Sequence, residues 1–205
     1  MTTVARRIVV GVSGASGSVY AQRLLCVLHN RARDAGDVEL GCVFSSNARV
    51  VWQLECGGAP EDLGIRAFAP NDYSAPFASG SAMWHAMAVV PCSMGVAGRL
   101  ASGTSDSLLT RAADVMLKEH RPLILVPREA PLSLIHLRNL TELARAGAMI
   151  LPASPSFYGR PHTVDELVDT VVARILDHLG VEHQLGYRWG AVVTRSGDAS
   201  YGGDS

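Results

Sequence analysis

The sequence predicts an α/β fold, a parallel and doubly wound sheet in a single domain. Three observations carry that expectation. Short apolar runs alternate with longer stretches of helical periodicity, the order that builds strand–helix–strand crossovers. The runs are unbroken rather than alternating, as in Leu123-Ile-Leu-Val126, so both faces of the strand are to be buried. Each run stops at a loop, and right-handed crossovers bring the loops 12–18, 44–47, 91–95 and 127–131 to one sheet edge.

Arg7 to Val12 reads as the first strand. Gly11-Val-Ser-Gly-Ala-Ser-Gly17 follows, then a helical pattern to about Arg33 with Tyr20, Leu24, Leu25 and Leu28 on one face. A strand, a Gly/Ser loop and a helix offer amides and a helix N-terminus to a phosphate. The motif is neither a Walker loop nor GxGxxG, and a tight turn that merely needs glycine is the plain alternative. Val38 to Phe44 is the second strand. A helix from Asn47, with Asn47 as its N-cap, is expected to carry Val50, Val51 and Leu54 inward and to end near Glu55. Residues 57–82 read as irregular; Phe68, Tyr73 and Phe77 make them a partly ordered loop over a site or a subunit contact.

Ala86 to Pro91 is a further strand, with Cys92-Ser-Met-Gly95 opening a loop-to-helix junction. Helices are predicted over Met94–Ala101 and Ser105–His120, the second capped by Ser105 or Asp106. Within it Arg111, Asp114 and Lys118 suit a solvated ion-pair ladder. In the strand-end stretch Val126-Pro-Arg-Glu129, the acid and base meet a ligand beyond the carboxyl end of the sheet or form a surface ion pair. Leu132–Ala146 is helical, Ala148–Leu151 is the last strand, and Thr163 caps a helix that Gly180 ends. Arg174 lies off the apolar stripe of that helix. Residues 1–185 are expected to form the domain and 186–205 a tail, disordered from about Asp198.

The bulk numbers agree with one well-buried domain: 205 residues, 48% hydrophobic and 18% charged. A net charge of −1 makes no electrostatic case for nucleic acid or an anionic membrane, so any cationic site is local. Cys26, Cys42, Cys56 and Cys92 show no CxxC spacing, which fits reduced thiols in a cytoplasmic protein. The apolar run at the start is broken by Gly11, Ser13 and Gly14, too early for a signal peptide or a membrane span. The seven histidines have no metal-ligand spacing, and His85 and His136 read as satisfied structural or surface residues.

Several stretches together carry a resemblance. Gly11–Gly17, Pro91-Cys-Ser-Met94, Leu109-Thr-Arg-Ala-Ala-Asp114, Leu117-Lys-Glu119, Pro122–Ser133 and Phe157-Tyr158 occur in the order found in bacterial flavin prenyltransferases of the UbiX/Pad1 type. The chain resembles that family from about Arg7 to Gly180. The resemblance implies a Rossmann-like, flavodoxin-like domain assembled as a homo-oligomer, the dodecamer. It implies transfer of a dimethylallyl group from dimethylallyl monophosphate to N5 and C6 of reduced FMN. It implies delivery of the prenylated FMN to a UbiD-type decarboxylase, with no metal, no nucleic acid and no membrane involved.

Carried over residue by residue, the resemblance sets Gly14, Ala15, Ser16, Ser45, Ser93, Met94, Gly95, Val96 and Arg128 against FMN. It makes Arg111, Lys118, Arg128, Tyr158 and Arg174 the binders of the prenyl phosphate. Ser16, Glu55, Lys118 and Glu129 become the catalytic set, with Glu129 and Ser16 handling protons and Glu55 assisting. Converging cations suit a poor phosphate leaving group, and a base is needed to take the proton lost at C6, a part that Glu129, Glu55 or the released phosphate could each fill. Two departures from the family pattern are Tyr73, where tryptophan is common, and Gly95, where lysine is frequent. Two other readings share the fold: an FMN-dependent decarboxylase of cysteine-type substrates and a non-catalytic FMN carrier. The decarboxylase would need a histidine on the 47–56 helix, which is absent. The carrier would have no use for Lys118, Tyr158, Arg174 and Glu129.

Overall fold

Six strands pair in parallel in the order β3-β2-β1-β4-β5-β6, and the computed structural model describes them within residues 5–189. The strands are β1 (Arg6–Val12), β2 (Val38–Phe44), β3 (Ala67–Phe68), β4 (Ala86–Cys92), β5 (Leu123–Pro127) and β6 (Met149–Ile150). The helices are α1 (Ser18–Asn30), α2 (Ser46–Glu55), α3 (Met94–Ala101), α4 (Leu108–Lys118), α5 (Leu134–Arg145) and α6 (Val164–Leu179). The disordered tail expected from about Asp198 lies outside the described residues.

The period of two along β1 explains the two cores. Ile8, Val10 and Val12 pack with Leu24, Leu25 and Leu28 of α1 and Val172 and Ile175 of α6. Val9 points the other way, to Met87, Val89, Leu109 and Met116. Every residue of β4 and β5 is buried, as unbroken apolar runs require. The strand order reverses between β1 and β4, so the crevice beyond their carboxyl ends is the switch point of the sheet.

Several local expectations change. The α2 helix is capped by Ser45, not Asn47: Ser45 is extended and its hydroxyl accepts from the Ala48 amide at 3.2 Å. Its buried pair is Ala48 and Trp52, while Val50 is 61% and Leu54 80% exposed. Trp52 meets Phe44 edge-on at 5.4 Å, and that aromatic contact turns the helix so that Val50 and Leu54 face out. The α4 helix is capped by Ser107 rather than Ser105 or Asp106, because Ser107 and Thr110 satisfy each other's backbone amides. Ser133 caps α5 in the same way with His136, which delays its start from Leu132 to Leu134. The α-helical part of α1 stops at Asn30 and a wider π turn, Arg31–Ala35, completes it.

The 57–82 stretch is more ordered than its composition suggests. It holds the edge strand β3 and short 3₁₀ turns. Phe77 is fully buried between Phe68 and Trp84, at 5.1 and 5.4 Å edge-on. Thr163 and Gly180 bound α6 as expected, with Asp165 and Glu166 in its first turn. All four cysteines are free, and burial pushes the Cys92 thiol up to about 12. His85 accepts the Arg7 amide through Nδ1 at 2.9 Å, a structural role. No helix among the described residues is long and apolar enough to cross a membrane.

Candidate active site

Ser13 ties the two central loops together at the switch point. Its hydroxyl is fully buried, donates to the Pro91 carbonyl at 2.7 Å and accepts the Ser93 amide at 2.7 Å. Beside this tie the N-termini of α2 and α3 open on one cleft of 380 Å³. Gly14, Ser45, Ser46, Asn47, Ser93 and Val96 line it, with Arg99, Leu109 and Thr110 opposite. Ser93 caps α3 as Ser45 caps α2, accepting from the Val96 amide at 3.4 Å. The first-turn amides of two helices thus face a single space, which favours an anion.

Gly14 is needed at that wall: a Cβ there would stand 2.6 Å from the Asn47 Cβ. Ala15, Met94 and Val96 are buried around the loop. Gly95 has room, since a Cβ would meet only the flexible Arg99 Nη1, at 3.5 Å. The set suits FMN chemically: amides, hydroxyls and Arg99 for a phosphate, and Pro70, Val96 and Leu109 for an apolar ring. Sequence reasoning missed Arg99, which bonds Asp106 at 3.1 Å and the Gly95 carbonyl at 3.1 Å. Its i+4 spacing from Gly95, on the helix that Ser93 opens, was the available signal.

The phosphate expected on the α1 N-terminus has a competitor. The Glu55 carboxylate accepts the Gly17 amide at 2.8 Å and the Ser18 amide at 2.6 Å. Gly17 sits at φ 112°, a left-handed turn that aims those amides at it. Partial desolvation raises the Glu55 pKa, but the Ser16 hydroxyl and the two amides outweigh it and hold the group below its ordinary value. Glu55 is therefore a weak base that caps α1 and engages Ser16.

Arg128 reaches the same loop. Its Nε donates to the Ser16 carbonyl at 2.9 Å, and its amide to the Cys92 carbonyl at 3.4 Å. No ion pair forms between Arg128 and Glu129, whose carboxylate accepts the Ala130 amide at 3.1 Å. Ser16 and Glu129 are both exposed at this edge.

The remaining cations do not join this group within one chain. Lys118 ends α4, about 16 Å from the cleft-lining Ser107 for an 11-residue helix, at the opposite edge of the sheet. It pairs with Glu119 rather than Asp114. The expected ladder is thus half formed, with Arg111 bonding Asp114 at 3.1 Å and the Ala78 carbonyl at 3.1 Å. Tyr158, 76% exposed, and Arg174 line a separate cleft of 510 Å³ between the 156–159 loop, α6 and residues 183–189. Among the described residues no group of His, Cys, Asp and Glu could hold a metal ion.

Comparison with known proteins identifies the family. The family model described as Flavoprotein matches residues 2–176. The chain is similar to the flavin prenyltransferase UbiX of Pseudomonas aeruginosa, 44% identical over 90% of this chain and 94% of that protein. It is similar to a dodecameric FMN-dependent UbiX-like decarboxylase from Escherichia coli, with a TM-score of 0.84 and 41% identity over 90% of this chain and all (100%) of that one. It is also similar to AnUbiX in complex with FMN and dimethylallyl pyrophosphate, with a TM-score of 0.80 and 40% identity over the same shares, 90% and 100%. On that match and these identities the chain belongs to the flavoprotein family and, within it, to the UbiX-type flavin prenyltransferases.

Proposed function

We propose that this protein is a flavin prenyltransferase that joins the dimethylallyl group of dimethylallyl phosphate to N5 and C6 of reduced FMN. The observation that carries the reading is the pair of helix N-termini meeting over one cleft, with Arg128 held on the Ser16 carbonyl beside it. Similarity to UbiX proteins, one of them in complex with FMN and dimethylallyl pyrophosphate, supports it. When bound, FMN supplies the nucleophilic ring atoms of the reaction.

Gly14, Ala15, Ser16, Ser45, Ser93, Met94, Gly95 and Val96 hold FMN. The Ser45 and Ser93 hydroxyls keep their helix starts rigid, and the unpaired first-turn amides take the phosphate. Arg128 Nε is spent on Ser16, which leaves its terminal nitrogens for the donor's phosphate. Arg111, Lys118, Tyr158 and Arg174 complete that phosphate site and stabilise charge as the C–O bond breaks. Glu129 takes the proton lost at C6, and the Ser16 hydroxyl serves N5. Glu55 positions Ser16 rather than accepting a proton, given its lowered pKa.

One chain leaves Lys118 at the wrong sheet edge and Tyr158 and Arg174 in a different cleft. We therefore assign a homo-oligomer, the dodecamer, in which neighbouring copies complete each site; a relative of that size supports this. The product serves a UbiD-type decarboxylase in the cytoplasm. The test is anaerobic. Protein, reduced FMN and dimethylallyl monophosphate are mixed, and the extracted flavin is weighed by mass spectrometry. A flavin heavier by one prenyl unit is the expected outcome, and unmodified FMN would sink the reading.

A further inference from the structure

The cleft that holds Tyr158 and Arg174 contains a second guanidinium, that of Arg188. The Asp177 carboxylate is its hub. Asp177 Oδ2 accepts from Arg174 Nη1 at 3.2 Å, and Oδ1 accepts from Arg188 Nη2 at 2.8 Å. Oδ1 also lies 3.1 Å from His183 Nε2. The Leu185 amide donates to His183 Nδ1 at 3.1 Å, and Arg188 Nη2 lies 3.1 Å from His183 Nε2. The His183 side chain is only 2% exposed, which fixes that arrangement.

Charge and donor counts then point the same way. Two guanidinia against one carboxylate leave the cleft positive. Each guanidinium carries five N–H donors and spends one nitrogen on Asp177. Among the described residues no other hydrogen-bonded acid meets Arg174 or Arg188. The two forks are held by opposite oxygens of one carboxylate, with the Tyr158 hydroxyl on the same cleft. A phosphate with several acceptor oxygens suits such a pair better than a single guanidinium does.

We propose that Arg188 is a further ligand of the donor's phosphate, and that Asp177 is a positioning residue that holds Arg188 and Arg174 side by side. This rests on the reading of Tyr158 and Arg174 as phosphate ligands given above. The competing idea is that Arg188 only staples residues 183–189 to α6.

Calorimetric titration of dimethylallyl monophosphate into protein loaded with oxidised FMN separates the two without turnover. Arg188→Gln should weaken donor binding about tenfold or more, the loss of one charge-assisted hydrogen bond. FMN affinity, read by flavin fluorescence, should stay at the wild-type value. Asp177→Asn should weaken donor binding in the same direction, again sparing FMN. Wild-type donor affinity in Arg188→Gln would overturn the proposal, and so would equal losses of donor and FMN binding, the mark of a staple. Anaerobic turnover of the same proteins keeps the underlying reading apart. A wild-type protein that binds the donor and leaves the flavin unmodified removes prenyl transfer, while the Arg188 assignment is still decided by the affinities. A wild-type protein that binds no donor overturns both.

Discussion

Ser13, Ser45 and Ser93 sit in the carboxyl-edge loops with their hydroxyls bonded to backbone, whereas Lys118, Tyr158 and Arg174 stand on three other parts of the chain. The first region is built by the sheet. Parallel strands end together, the loops that follow must cluster, and short serine-to-amide bonds make the cluster rigid. The second region is built by surfaces. Lys118 and Arg174 are exposed and Arg111 is half-buried; each is held by a nearby acid (Arg111 by Asp114, Lys118 by Glu119, Arg174 by Asp177), and none lines the cleft of the first. On the proposed assignment, the FMN pocket folds with the chain, while the donor pocket needs a second surface brought to it.

Removing a cation from the second region should have the largest effect. Lys118→Ala should lower prenyl-transfer turnover about 10²- to 10³-fold, the usual worth of a charge-stabilising group, with FMN retention intact. Gly14→Val attacks the first region, because its side chain collides with Asn47. It should cost FMN binding about 1–3 kcal/mol, read by flavin content after gel filtration. Co-assembling these two defective chains sharpens the comparison. Activity returns if different copies supply the two regions, and stays absent if one chain supplies both.

Glu55→Gln should produce a smaller change. Loss of the carboxylate cap on α1 should lower stability by about 1 kcal/mol, measured by denaturant unfolding. The pH dependence gives the sign. The folded pKa of Glu55 is lowered, so its contribution is complete above the ordinary carboxylate range and is lost as pH falls through the lowered value. The glutamine variant should lose that part of the acid dependence. Prenyl transfer at neutral pH should survive it better than it survives Glu129→Gln, since only Glu129 is assigned a proton. Tyr73→Trp should matter least: the residue is half exposed, and the stronger π face should change donor turnover by only about threefold.

Much of the first region was legible in the sequence. Apolar runs that end at the Gly/Ser loop after Val12 and at proline-bounded loops mark the edge, and Ser45 and Ser93 stand directly after two apolar runs. What was not legible depended on packing. Val50 and Leu54 have the spacing of a buried stripe, but the Phe44–Trp52 contact decides which face of α2 turns inward. Ser105, Asp106 and Ser107 are all plausible caps, and only the reciprocal bonding of Ser107 with Thr110 selects one. Glu55 reads as an acid at a helix end; 38 residues separate it from the Gly17 amide it accepts.

By itself the sequence determined the parallel sheet, its polar edge and, through several motifs in order, the family. These depend on local periodicity and residue type, which survive without knowledge of neighbours. Only the tertiary structure decided that Glu55 caps α1, that Arg128 rests on the Ser16 carbonyl, and that Asp177 joins Arg174 to Arg188. Each of these joins residues that sequence spacing does not bring together, and the direction of a hydrogen bond exists only once the two backbones have been placed.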